Sequence, residues 1–275
     1  MKTIRIIRDS KYPAPMGLAI DEALLKSLKD GLALETVRFY YFAPPAVVVG
    51  LNQDINLINL EYLRNKKMSF GRRLTGGGAI IIGCPDFASQ MGITFLFRLD
   101  SDLPEKLSQK FKFFSSVMMD ALKNIGVEPE YNRNSDITVR GRKIAGNGIY
   151  MTEEALLFHS IILFDYDYDV MYQVLNLAHA ESEEKIIERM KKQITTLNFE
   201  LGQTISPKTI ENQLINGIKA IWKCDIREEG LSKREKKIAD KLYREKYSTN
   251  SWNFQNLDDQ GLRNACFVPD DIDLK

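Results

Sequence analysis

Three consecutive glycines, Gly76-Gly77-Gly78, stand between two β-rich runs and directly follow Arg72-Arg73-Leu74-Thr75. Glycine loses the most backbone freedom on ordering, so neither a helix nor a regular strand runs through such a stretch. The chain must turn here. Met68–Arg73 enters as one strand and Ala79–Ile82 leaves as another. The turn also has a chemical reading. Without Cβ atoms a bound group can come close to the backbone N–H groups, and two guanidinium forks suit phosphate or carboxylate oxygens. A plain turn with arginines in solvent is the alternative.

The rest of the pattern sets the fold class. Residues 2–8 read as a strand, Pro13 and Pro15 break the chain, and 16–29 repeats apolar residues at helical spacing up to Gly31. Thr36–Phe42, Ala46–Val49 and Met91–Arg98 read as strands, with a short helix capped by Asn56 running through Arg64. A long helix is expected over 102–124, followed by strands at 136–140, 143–150 and 155–164. From Asp167 onward the spacing becomes helical. Ser206-Pro207 starts one helix and Ser232-Lys233-Arg234-Glu235 a second, as a capping box. Strands grouped before helices imply an α+β fold with a mixed, largely antiparallel sheet flanked by helices. One domain over 1–255, helical from about 167, and a C-terminal tail over 256–275 are expected.

Bulk properties narrow the function. A net charge of +1 on 275 residues gives no global pull towards nucleic acid or membrane, so any anion site must be local. No apolar run is long enough to span a bilayer, and the N-terminus lacks a signal-peptide core. The three cysteines, Cys84, Cys224 and Cys266, are scattered. That argues against a disulfide framework or zinc site and fits a cytoplasmic location.

A second segment, Gly141-Arg142-Lys143-Ile144-Ala145-Gly146-Asn147-Gly148, adds chemistry. Strand alternation puts Lys143, Ala145 and Asn147 on one face. A lysine beside two glycines can hold a carboxylate or α-phosphate as a point charge. Asn134-Ser135-Asp136 offers a carboxylate nearby. The alternative is an exposed hairpin lysine.

In order and spacing these motifs resemble the lipoate–protein ligase A family, within the biotin and lipoate protein ligases. Leu18–Ala23 resembles the family's first helix, and Val47–Gln53 its strand and turn. Arg72–Ala79 is similar to its arginine-glycine motif, and Asn134–Asp136 with Arg142–Gly146 to its lysine strand. Phe158-His159 and Lys246–Asn253 resemble later segments. The resemblance implies a class II ligase-like fold. It also implies activation of lipoate with ATP to lipoyl-AMP, then transfer to a lysine of an acceptor lipoyl domain. On that analogy Arg72, Arg73, Gly76, Gly77, Gly78 and Ala79 lie along the nucleotide phosphates. Ile80, Ile81 and Ile82 wall the nucleotide and acyl chain, and Lys143 sits at the reacting carboxylate and α-phosphate. Mg2+ is expected with ATP, with Asp136 as a helper, but no spacing marks a protein metal site.

Two departures bear on the activity. The family's glycine run continues through an aromatic residue into His-Asp, whereas here it reads Ile80-Ile81-Ile82-Gly83-Cys84. The chain also ends soon after Trp252, where two-domain ligases continue. This resembles split ligases and leads to the expectation of a small accessory subunit. The rival within the fold is an octanoyl or lipoyl transferase using an acyl-protein donor. Transferases of one type use a cysteine just before the lysine strand, and Val127–Val139 has none. A non-catalytic binder of lipoate or lipoyl domains is the rival of another class.

Other residues carry weaker signals. Cys84 reads as a small packed residue and His159 as a packed strand histidine; His179 has no evident partner. Lys185, Arg189, Lys191 and Lys192 read as a solvated helix face or a loop closing over the adenylate. Arg234 and Lys237 could meet an acidic acceptor domain. Trp222 and Trp252 read as core anchors.

Overall fold

The computed structural model of the chain describes residues 2–9, 11–83, 90–100, 102–132, 136–176 and 181–255. Eleven strands are formed among them: β1 Thr3–Arg8, β2 Thr36–Tyr40, β3 Ala46–Val49, β4 Ser69–Arg72, β5 Ile80–Ile82, β6 Gln90–Arg98, β7 Glu130–Tyr131, β8 Ile137–Val139, β9 Arg142–Met151, β10 Ala155–Leu163 and β11 Asp225–Glu228. The α-helices are α1 Ala14–Lys29, α2 Leu60–Asn65, α3 Leu107–Lys123, α4 Tyr168–Val174, α5 Glu183–Gln193, α6 Leu197–Leu201, α7 Pro207–Trp222, α8 Lys233–Leu242 and α9 Asn250–Asn253. Eight strands form one sheet in the order β11-β1-β2-β6-β10-β9-β8-β7, and β4-β3-β5 form a second, small sheet. In the large sheet only the β11–β1 and β1–β2 pairs are parallel, so the expected α+β fold with a largely antiparallel sheet is what forms.

Alternation along the central strands divides the molecule. Met91, Ile93, Phe95 and Phe97 of β6 face α3 and α7, joining Phe114, Phe158 and Leu214 in one core. Trp222 closes that core, stacked 5.1 Å from Phe113. The opposite face of the large sheet meets α1, α8 and the small sheet through Leu96, Leu157, Leu18, Val48 and Ile82. A third cluster lies behind the small sheet around Val47, Val49, Phe70 and Phe254. The cleft between the two sheets is where the glycine run and the lysine strand meet.

Several boundaries differ from the sequence expectation. Pro15 does not stop α1: it sits in the first turn, where its missing N–H has no intrahelical partner to lose. The Asn56 helix is replaced by a 3-10 turn capped by Asp54 and a separate α2 capped by Asn59. The long helix starts at Leu107 rather than 102, because residues before Pro104 avoid the helical region. The edge strands β7 and β11 are additional. The capping box at Ser232 and Glu235 is present. No helix among the described residues is long and apolar enough to cross a membrane.

Candidate active site

At the end of β4, alternation sends two consecutive arginines to opposite sides. Arg73 is 8% exposed and turns into the cleft. Its Nε donates to Thr75 Oγ1 at 3.0 Å, Nη1 to the Val48 carbonyl at 3.0 Å, and Nη2 to the carbonyls of Gly76 and Gly78 at 2.7 and 2.9 Å. The guanidinium therefore shapes the loop by pulling its carbonyls inward. Burial pushes its pKa down to about 10, so it stays charged at neutral pH. Among the described residues no carboxylate pairs with it, which leaves net positive charge on the cleft wall. Gly77 adopts φ 93°, which L side chains rarely tolerate. Gly50, at the end of β3, permits a closer approach: a Cβ there would lie 1.9 Å from the Gly77 carbonyl oxygen.

Arg72 points the other way and does not line the cleft. Its Nη1 donates to the carbonyls of Gly50, Leu51 and Gln53 at 2.9, 3.0 and 2.9 Å. Nε and Nη2 reach the Asn253 carbonyl at 3.2 and 3.1 Å. Its backbone N–H donates to Asn253 Oδ1, and Trp252 Nε1 donates to its carbonyl. The structure thus turns the expected second anion fork into a clamp on the segment around α9.

The lysine strand enters from the large sheet. Lys143 folds over Gly146, where a Cβ would lie 2.9 Å from Nζ, and its ammonium is 3.0 Å from Asp136 Oδ1. Its carbonyl accepts from the Thr195 N–H at 2.8 Å. Next to it, Arg142 pairs at 2.6 Å with Glu200, which also accepts from Thr195 Oγ1 at 2.6 Å. The strand start is thus latched to the 194–200 segment. Lys143 lines the cleft; Asp136 stands behind it as its partner.

His159 has a larger place than sequence reasoning gave it. It lies on β10 opposite Thr94 of β6, which lies opposite Arg38 of β2. Asp21 of α1 reaches into this row. It accepts from Arg38 Nη1 at 2.6 Å, from Thr94 Oγ1 at 3.0 Å and from His159 Nε2 at 2.8 Å. Burial alone would raise the Asp21 carboxyl, but Arg38 and His159 outweigh it and hold it below the usual carboxylate range. The other imidazole nitrogen lies 3.4 Å from Thr75 Oγ1, within hydrogen-bond reach. A buried polar row therefore runs from Arg38 through Asp21, His159 and Thr75 to Arg73. The periodicity of β10 placed His159 on this face; its partner on α1, 138 residues away, has no local signal.

These parts enclose a cavity of about 260 Å³. One part of its wall carries Arg73, Thr75, Gly77, Gly78, Lys143 and His159; another is apolar, with Leu18, Phe42, Val48, Ile82, Ile161 and Leu163. Ala79, Ile80 and Ile81 also line it, as do Tyr166, Met171 and Ile194 from the segment after β10. Gly76 contributes through the carbonyl that Arg73 holds. No described lining residue is a carboxylate or a thiol, and no group of three or more metal-ligating side chains exists among the described residues. Cys224 is buried in the opposite core, where burial pushes its thiol pKa up. Cys84, Asn134, Ser135, His179, Cys266 and the 256–275 tail lie outside the described residues. The basic residues of 185–192 lie on α5, with Lys192 paired to Glu188 and Arg189 to Glu181. Arg234 pairs with Asp30 at 2.9 Å.

A largely apolar cavity with a cationic polar wall suits an amphiphilic acid. The chain is 25% identical over 277 residues to the octanoyltransferase LipM of Brevibacillus brevis, covering 91% of this chain and 98% of that one. It is 25% identical to lipoate-protein ligase A subunit 1 of Thermoplasma acidophilum, covering 86% and 91%. It is also 25% identical to the lipoate-protein ligase LplJ of Bacillus subtilis, covering 87% and 70%. Its fold matches the bipartite lipoate protein ligase solved with its E2 lipoyl domain from Thermoplasma acidophilum, with a TM-score of 0.82 at 24% identity over 94% and 98% of the chains. A lipoate-protein ligase A bound with ATP matches with a TM-score of 0.78 at 23% identity over 94% and 100%. Residues 13–219 match the lipoyl protein ligase A/B catalytic domain, and the chain belongs to that family.

Proposed function

We propose that this protein is an ATP-dependent lipoate–protein ligase. The observation that carries this reading is the meeting of Lys143 and the Arg73-backed glycine loop in one apolar cavity with no described thiol on its wall. An enzyme thioester needs a thiolate, and none of the described lining residues supplies one, which favours another form of activation. A mixed anhydride with AMP is the activation that a phosphate-binding loop serves. The lipoate carboxylate attacks the α-phosphorus of ATP and pyrophosphate leaves. The amine of an acceptor lysine then attacks the acyl carbonyl, a proton is released and AMP leaves.

On this reading Arg73, Gly77, Gly78 and Ala79 lie along the phosphates. Arg73 acts through the loop it shapes as well as through its charge. Lys143 stabilises charge on the phosphoryl and acyl oxygens, while Ile80, Ile81 and Ile82 guide the nucleotide and chain. Catalysis is by positioning and electrostatics. Among the described residues the wall offers Mg2+ no carboxylate and Asp136 is engaged by Lys143, so on this reading the ion would be carried by the nucleotide phosphates. The acceptor is a lipoyl domain. A small accessory subunit is in keeping with the bipartite relative, and a cytoplasmic site of action with the sequence. The test is mass spectrometry of a lipoyl domain incubated with the chain, lipoate and ATP. A lipoyl adduct on one lysine, absent without ATP, supports the reading.

The second reading is an octanoyltransferase, with an acyl-protein as donor. It is favoured by the octanoyltransferases that match almost end to end. Adduct formation from an octanoylated donor protein without ATP would establish it instead.

A further inference from the structure

Gln90 opens β6 with a side chain 3% exposed, and it lines the cavity. Its carboxamide oxygen finds no hydrogen-bond partner among the described residues. A buried amide oxygen that gives up water and gains no partner calls for a cause, and a ligand in the cavity that it lines supplies one.

The strand register says which part of a ligand it meets. Gln90 lies opposite Leu163 on one side of β10. Ala145 lies opposite Ile162 on the other side, so Lys143, two residues earlier, is at the same end of β10. One strand separates the two backbones, about 10 Å at two strand spacings. Lys143 folds inward over Gly146, which pairs with Ile161. The ammonium and the carboxamide therefore belong to opposite walls over an apolar floor of Ile161 and Leu163.

We propose that Gln90 binds the reacting carboxyl group of the acyl substrate from the wall facing Lys143. A carboxamide can present either its oxygen or its nitrogen, and here the N–H donates to the carboxylate oxygen that Lys143 leaves free. The same donor holds the acyl oxygen as charge develops on it during attack by the acceptor amine. The apolar floor keeps water from competing. This inference rests on the ligase reading above, in which the acyl substrate arrives as a free acid.

The test is calorimetric titration of the full chain with lipoate and with octanoate, for wild type, Gln90→Leu and Gln90→Asn, with thermal unfolding of each. Gln90→Leu removes both polar ends and is expected to weaken both acids by about tenfold or more. The losses should be equal, because the acids share the carboxyl and differ in the tail. Thermal stability should hold or rise, since an unpaired buried amide has gone. Gln90→Asn keeps the amide but shortens its reach, and an intermediate loss is expected even if the leucine variant folds poorly. Unchanged affinities in the folded variants would show that the amide meets only water and would overturn the proposal. A loss confined to lipoate would place Gln90 at the sulfur-bearing tail and would also overturn it. Wild type binding neither acid would overturn the ligase reading itself, and this inference with it.

Discussion

Behind the small sheet, Arg72 gives its guanidinium to four backbone carbonyls and fastens the segment around α9 to the turn after β3. In front of the sheet, Arg73 also holds carbonyls, but those carbonyls belong to the glycine loop and its charge borders an open cavity. The two residues are adjacent in the chain and alike in chemistry. What separates them is strand alternation and what waits on each side. The back is closed: its donors and acceptors satisfy one another. The front is incomplete: the Gln90 carboxamide oxygen, buried on the cavity wall, lacks a partner among the described residues.

The strongest challenge to that contrast is Arg72→Met. It would strand several buried carbonyls, so urea unfolding should show a loss of about 3–5 kcal/mol. A loss below about 1 kcal/mol would mean that the back clamp is not structural. Glycine substitutions sharpen the contrast. Gly50→Ala puts a methyl group against the Gly77 carbonyl and should cost about 1–3 kcal/mol while weakening ATP binding. Gly76→Ala meets nothing within 4 Å and should stay within about 1 kcal/mol of wild type. Equal effects of the two in denaturation and nucleotide titration would refute the loop packing described here.

Asp21 tests the floor between the two regions. Its carboxyl is depressed in the folded state, so it stabilises the fold above its unfolded pKa, and that stability is lost as pH falls through the folded value. Asp21→Asn should lower stability at pH 7 and flatten the acid limb of the stability profile below about pH 4. An unchanged acid limb would remove Asp21 from the account. The smallest stability effect belongs to Lys143→Ala. The Lys143–Asp136 pair is partly exposed, so unfolding should shift by at most about 1 kcal/mol, while function should suffer most.

Much of the fold was legible in the sequence. The glycine run, the β10 periodicity and the Ser232 capping box carry local signals with direct physical causes. The short edge strands β7 and β11 were not legible, because their pairing partners are distant and their own patterns weak. In the candidate site, Arg73, the glycines, Ile80 to Ile82 and Lys143 converge on one cavity. The separation of Arg72 from Arg73 was available in principle, since residues one apart on a strand face opposite ways. Asp21–His159 and Gln90 were not, because a buried partner on another element, or the lack of one, emerges only in three dimensions.

The most direct measurement is pyrophosphate release from ATP on addition of lipoate, for wild type and Lys143→Ala, with a lipoyl domain and a candidate small subunit present. Lipoate-dependent release by wild type, falling at least about a hundredfold in an equally stable Lys143→Ala variant, is the predicted result. No release from wild type, together with octanoyl transfer from an acyl-protein donor, would contradict the adenylating reading and leave the transferase in its place.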